Sequence, residues 1–329
     1  MHLLIPFAQC LAPESQQAFD ALKLPNLNRL LAQLPVATWD KGDENSLSPP
    51  HERALASLHG VAPSGHDANA TALADGCLPW GAWHAHRAGL VQAGVDEAWA
   101  VITPAQWVVQ TRHITMTDPA ALRLSEADSR VLLALMAPYF LEDGIRLVYD
   151  APTRWLASGE VFRGLATASV DRVAGRPVDG WLPKTAAAKA LRRLQQEMQM
   201  LLYTQPYSEG RAQSGLPLVN SFWVSGTGVL PLATPDPQTA KIVSPSALRD
   251  AAVNEDRAAW AQAWQTIDAN ECAGALAAIK HTQDVTLTLC GERSAVKFAQ
   301  GRRSVGTWLQ AKYSSLLGLQ VSNNVRNQL

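Results

Sequence analysis

The chain is poor in cysteine, poor in charge and without a long apolar run. Its four cysteines, Cys10, Cys77, Cys272 and Cys290, stand far apart with no CxxC spacing. That argues against a disulfide framework and against a cysteine-rich zinc site, and a reducing, cytoplasmic setting is the expectation. Charged residues make up 17% and the formal net charge is −1. The basic excess of a nucleic-acid binder is therefore missing. The pairs Arg192-Arg193 and Arg302-Arg303 read as solvated faces. No apolar run approaches the ~18 residues needed to span a bilayer. The opening MHLLIPFAQC has no basic lead-in and meets Pro6 early, so it reads as a buried strand and not as a signal peptide. HExxH, GxxxxGK[ST] and GxGxxG are absent, as is the GxSxG of a hydrolase nucleophile elbow.

What is present is core-forming. The chain has 329 residues, 47% of them hydrophobic and 11 of them tryptophan. That is enough for one large domain, or for a core domain with a smaller one beside it. LLIPFA reads as a strand. The segment PESQQAFDALKLPNLNRLLAQL has helical spacing at Leu27, Leu30, Leu31 and Leu34, with Pro25 able to open the helix. WDKGDENSLSPP reads as a loop, and HERALASLHGV as a short helix closed by Gly60. Strand followed by helix suggests a parallel sheet with helices on its faces.

The middle of the chain differs. AWAVITPAQWVVQTRHITMTD reads as one or two strands. SEADSRVLLALMAPYFLEDG reads as a helix capped by Ser125, with Asp128 three residues on. GIRLVYDAPTRWLAS returns to strand. This block predicts an α+β insert at residues 97–180, with a core built from 1–96 and 181–329. TAAAKALRRLQQEMQMLLYT is the strongest helical pattern in the chain. IVSP reads as a short extended piece, SALRDAAVNEDRAAWAQAWQTID as one long helix, and VTLTLCGERSAVKF as two strands flanking a turn.

Chemistry-bearing residues are scattered. His84 and His86 form the closest histidine pair and would share a face on a strand, where they could bind a metal; a surface loop or helix edge is the plainer reading. LPLVNSFWVSGTG, residues 216–228, ends in two glycines that would let the loop approach a ligand or a neighbouring strand closely.

Read in order, several segments resemble a known family. LPNLNRLLAQ is similar to the segment that follows the first strand in the alkaline phosphatase superfamily. Pro206, Arg211, Gly215, Asn220, Trp223, Gly226 and Gly228 keep the order, and nearly the spacing, of a stretch in archaeal-type cofactor-independent phosphoglycerate mutases. IKHTQDVTLTLCGERSAV resembles that family's closing strand and turn. A closer resemblance is to proteobacterial phosphoglycerate-mutase-related proteins of RpfE type. The resemblance implies an α/β core of alkaline phosphatase type, with a mostly parallel sheet flanked by helices and an inserted α+β domain. It implies that Asn220 and the two glycines shape the floor of a cleft between core and insert.

The sequence departs from that family where its two divalent metals and its nucleophile are expected. Phe7 stands where an aspartate should follow the first strand, His51-Glu52 where a Ser-Asp is expected, and Glu292-Arg293 where Asp-His is expected. Phenylalanine cannot coordinate a metal, and arginine places a fixed positive charge where a dication would sit. The expectation is a metal-free anion pocket of Arg154, Arg211, Arg293 and Asn220. It would hold a phosphorylated or carboxylated small molecule in a regulatory or scaffolding role, with no cofactor. His51 with Glu52 could form a new base or phosphoacceptor, a helix cap being the plainer alternative. A second reading keeps Mn or Zn on relocated ligands drawn from Glu292, His84, His86, His51 and His281. A third takes exposed tryptophans as a contact surface for a protein partner. No nucleic acid or membrane is expected as a partner.

Overall fold

In the computed structural model the described residues are 1–9, 22–62, 73–231 and 241–300. Cys10 and Arg302-Arg303 lie outside them. The first elements are β1 (His2–Ile5), α1 (Pro25–Gln33), β2 (Val36–Asp40), α2 (Pro50–Leu58) and α3 (Trp80–Arg87). Then come β3 (Trp99–Ala105), β4 (Trp107–Val109), β5 (Ile114–Met116), α4 (Glu126–Glu142), β6 (Arg146–Ala151) and β7 (Arg154–Ser158). They are followed by α5 (Val170–Val173), α6 (Lys189–Tyr203), α7 (Pro206–Gln213), β8 (Ser221–Gly228) and β9 (Ile242–Val243). The last are α8 (Ala247–Val253), α9 (Arg257–Ile267), α10 (Ala273–Lys280), β10 (Thr286–Cys290) and β11 (Ala295–Ala299). The backbone divides into two units: Met1–Asn45, Pro49–Leu55 and Gln238–Leu329 in one, Ser46–Ser48 and Ala56–Pro237 in the other.

The first unit holds a five-stranded sheet in the order β2-β11-β10-β1-β9. Strand β1 runs parallel to β10 and β9, whereas β10–β11 and β11–β2 are antiparallel. The sheet is thus mixed, where the sequence pattern predicts a mostly parallel one. The cause is the short connection between β10 and β11, which can join only antiparallel neighbours; a parallel pair needs a long crossover. Leu3, Leu4 and Ile5 are fully buried, and Trp264, Leu287, Val296 and Phe298 pack in the same core. Helix α1 begins at Pro25 but has no side-chain cap of its own. The buried carboxylate of Asp268 supplies one, accepting from the Leu27 amide at 2.7 Å and the Asn26 amide at 3.3 Å. The long helix expected over 246–268 is broken. Glu255 adopts a left-handed backbone (φ 53°), and Asp256 caps α9 by accepting from the Ala259 amide at 2.9 Å. A π-helical turn, Asp268–Cys272, then joins α9 to α10.

The second unit holds a four-stranded sheet, β6-β7-β3-β8, whose pairings are all antiparallel, together with the β4-β5 ribbon. Helix α4 is capped as its sequence predicts. The Ser125 hydroxyl accepts from the Asp128 amide at 3.1 Å and donates to the Asp128 carboxylate at 2.8 Å. The stretch at 216–228 ends as β8, which pairs with β3 in this sheet and not with the five-stranded one. Phe222 packs against Phe140 at 5.0 Å, while the Trp223 indole donates to the Ala168 carbonyl at 2.8 Å. The two glycines seat α3 on the sheet. A Cβ on Gly226 (φ +62°) would lie 2.9 Å from Trp80 Cβ, and one on Gly228 3.2 Å from Pro79 Cβ. Gly81 faces the Ala100 backbone in the same way, at 2.5 Å. The glycine pair is therefore a packing corner.

Candidate functional site

Within the first unit, four segments distant in sequence converge at the carboxyl ends of β1 and β10. Ligands of open α/β sheets bind at that end of the parallel strands. The chain leaves β1 through Pro6 and Phe7, and Phe7 takes a left-handed backbone, φ 50°. That conformation is uncommon for a bulky residue and is strained. Hydrogen bonds hold it on both sides: the Trp260 indole donates to the Phe7 carbonyl at 3.1 Å, and the Ala8 amide donates to the Cys290 carbonyl at 2.8 Å. The Phe7 ring lies 5.3 Å from the His51 imidazole, centroid to centroid, and both side chains are buried.

His51 and Glu52 occupy the first turn of α2, where backbone amides point outward and favour negative charge. Their ligand atoms lie within 4.8 Å of each other. Glu292 and Arg293 form the middle of the β10–β11 turn, which the Gly291 amide closes onto the Ser294 carbonyl at 2.9 Å. Arg53, one residue beyond Glu52, pairs with Asp40 at 2.8 Å and reaches the Arg293 carbonyl at 3.5 Å. Gly42 makes room for this arrangement, since a Cβ there would lie 2.5 Å from the Arg293 carbonyl oxygen and 2.6 Å from Arg53 Nη2. Cys290 ends β10 nearby. Burial first, then Asp40, push its thiol well above the ordinary range, so it is no nucleophile.

Of the remaining predicted residues, His281 ends helix α10 in the first unit, and the others lie in the second unit. His84 and His86 sit on helix α3, where residues two apart point to different faces. His84 is half-buried, its ring 4.9 Å from that of Trp83. Burial first, then the Arg154 guanidinium, lower its pKa to about 4, with Asp150 opposing. The structure thus brings His84 and Arg154 together, and Arg154 is itself paired with Asp150 at 2.5 Å. His86 is exposed, with Nδ1 at 3.1 Å from the Val91 carbonyl oxygen. Arg211 is buried and donates to the carbonyls of Leu122 and Pro217, with Asp128 at 3.8 Å. Asn220 bridges both backbone groups of Trp107, accepting from its amide at 2.7 Å and donating to its carbonyl at 2.8 Å.

Sequence reasoning missed Arg53, Asp40 and Gly42. The signal for Arg53 was its place beside His51-Glu52. Asp40 and Gly42 sat in a segment read as loop, and only the fold carries them to the strand ends.

No protein-family model matches the chain, and no curated protein does. Among solved structures it is similar to a cofactor-independent phosphoglycerate mutase from Thermoplasma acidophilum, at 14% identity and TM-score 0.36, over 91% of this chain and 89% of that one. It is also similar to the PH0037 protein from Pyrococcus horikoshii, at 13% identity and TM-score 0.46, over 91% of this chain and 87% of that one.

Proposed function

We propose that the protein binds a phosphorylated or carboxylated small molecule at the carboxyl ends of β1 and β10, in a regulatory role and without a resident metal. The observation that carries this reading is the composition of the strand-end site. The Arg53 guanidinium reaches the backbone carbonyl of Arg293 there, beside the opening turn of α2 and a residue, Phe7, that offers no ligand atom. Guanidinium groups and outward-pointing helix amides suit an anion. The two-metal centre implied by the sequence resemblance does not fit these donors. An aromatic ring and a fixed cation stand at two of its expected ligand positions.

The His51–Glu52 pair favours a second reading, in which one divalent cation is held by an imidazole nitrogen and a carboxylate oxygen. Elemental mass spectrometry on protein purified without chelator separates the two. The anion reading expects no stoichiometric Mn or Zn, and a thermal upshift with inorganic phosphate and phosphorylated hydroxy acids. Arg293→Ala should abolish that shift, because one charge-assisted hydrogen bond contributes about 1.5–3 kcal/mol, roughly ten- to a hundredfold in affinity. One equivalent of metal, or a phosphate response unchanged in Arg293→Ala, would overturn it.

A further inference from the structure

Helix α4 is apolar on two opposite sides, and the fold covers one of them. Leu132, Met136 and Phe140, four residues apart, are fully buried in one core with Leu191, Leu194 and Met198 of α6. The other side presents Ala127, Val131, Ala134, Pro138 and Leu141, all exposed. Their spacing of four, three, four and three residues is that of a seam between two packed helices. From Val131 to Leu141, eleven consecutive residues carry no charged side chain. A helix with one side in solvent ordinarily places charge there. Val131 is 54% and Leu141 66% exposed, and on α6 Met200 and Tyr203 are 75% and 87% exposed. Arg193 of α6 pairs with Asp143 at the end of α4, which ties the two helices side by side into one layer.

Three features of this layer select its partner. The seam offers no charge to an acidic or basic partner, so its complement is another uncharged seam of the same spacing, and a second copy of α4 is one. Arg130, at the rim, is already paired with Glu126 at 2.9 Å, and Arg193 contacts Glu197 at 3.4 Å as well as Asp143. Covering the seam therefore strands neither guanidinium. The layer is about 25 Å long and about 20 Å across, or about 500 Å² in projection before side-chain relief is counted. The lower end of stable interfaces needs roughly 600 Å² of accessible surface from each copy. We propose that the α4–α6 face of the second unit is a homodimer interface, in which α4 packs on α4 of a second copy about a twofold axis near Ala134. A twofold contact uses the same patch on both copies and brings residues near the axis against their own counterparts.

That last property gives the test. Ala134→Glu and Ala134→Lys are made in the full chain, and each is followed by sedimentation velocity beside the wild type. The wild type should pass from one to two times 35.5 kDa as concentration rises from about 1 to about 100 μM, the range suited to a small interface. Each variant alone sets like charges against each other at the axis and should raise the dissociation constant by about tenfold or more. An equimolar mixture of the two should regain the dimer, because opposite charges then meet. Glutamate and lysine are both good helix formers on an exposed helix face, and recovery in the mixture itself shows that both chains fold. Val109→Glu, on β4 and 79% exposed, should dimerise as the wild type does. Three results would overturn the proposal: a wild type that stays monomeric throughout, single variants that dimerise as tightly as the wild type, or a mixture that does not recover. The last is the outcome if residues 301–329 of the same chain, or an unrelated protein, cover the seam instead.

Discussion

Replacing Gly226 by alanine tests the packing corner most directly. Two costs add. The backbone at φ +62° is left-handed, and a Cβ there costs about 1–2 kcal/mol. The new methyl would also stand 2.9 Å from Trp80 Cβ and 3.2 Å from the Gly81 amide nitrogen. Neither neighbour is the free end of a flexible side chain. Helix α3 cannot slide away cheaply, because Gly81 already lies against the Ala100 backbone. Overpacking of this kind costs about 1–3 kcal/mol, so the total is about 2–5 kcal/mol. Gly215 is the internal control. Its φ is +66° and no atom lies within 4 Å of a Cβ built there, so Gly215→Ala should lose only the backbone part. The assay is urea unfolding followed by near-ultraviolet circular dichroism, which reports the tryptophans packed around β8 and α3. Gly226→Ala should unfold at clearly lower urea than Gly215→Ala. Equal midpoints would refute the claim that close approach of α3, and not backbone conformation alone, requires the glycine.

Two further outcomes follow from buried polar groups in the first unit. His2 is buried, accompanied by Thr288 Oγ1 at 2.8 Å, and burial, with Lys297 and the chain's amino terminus, lowers its pKa from 6.5 to about 4. The unfolded chain takes up that proton first, so the stabilisation is complete above pH 6.5 and is lost as pH falls towards 4. It amounts to about 3 kcal/mol by order of magnitude. The urea midpoint should fall over that window in wild type and fall less in His2→Gln; identical slopes would refute the assignment. Asp268→Ala should remove the cap of α1 and cost about 1–2 kcal/mol, with faster hydrogen exchange at the amides of Asn26 and Leu27. Asp268→Asn keeps an acceptor oxygen and should cost less; unchanged exchange in both would show that the cap is not what closes the helix.

Local structure was legible in the sequence wherever its cause is local. The Ser125 cap is made by residues three apart, and α6 follows from leucine spacing within one segment. The β10–β11 hairpin is announced by two apolar runs around GERS. The histidines of WHAH were harder, because the same short segment suits a strand or a helix. Packing of Gly81 against β3 settles it as helix, which sends His84 and His86 to different faces. Arg211 and Asn220 could equally have faced a ligand by sequence. Buried carbonyls of Leu122 and Pro217, and the backbone of Trp107, claim them instead, since buried polar groups seek partners.

The sequence by itself determined most of the order of strands and helices, the α/β character, and the presence of Phe7 and Arg293 just beyond β1 and β10. Only the tertiary structure decided which of them meet. The left-handed turn at Phe7 against His51, the capping of α1 by Asp268 and the clasp of Arg53 on the Arg293 carbonyl all join residues far apart in the chain. Such contacts depend on strand order and register, which come from burial of the whole core and leave no mark on the spacing of neighbouring residues.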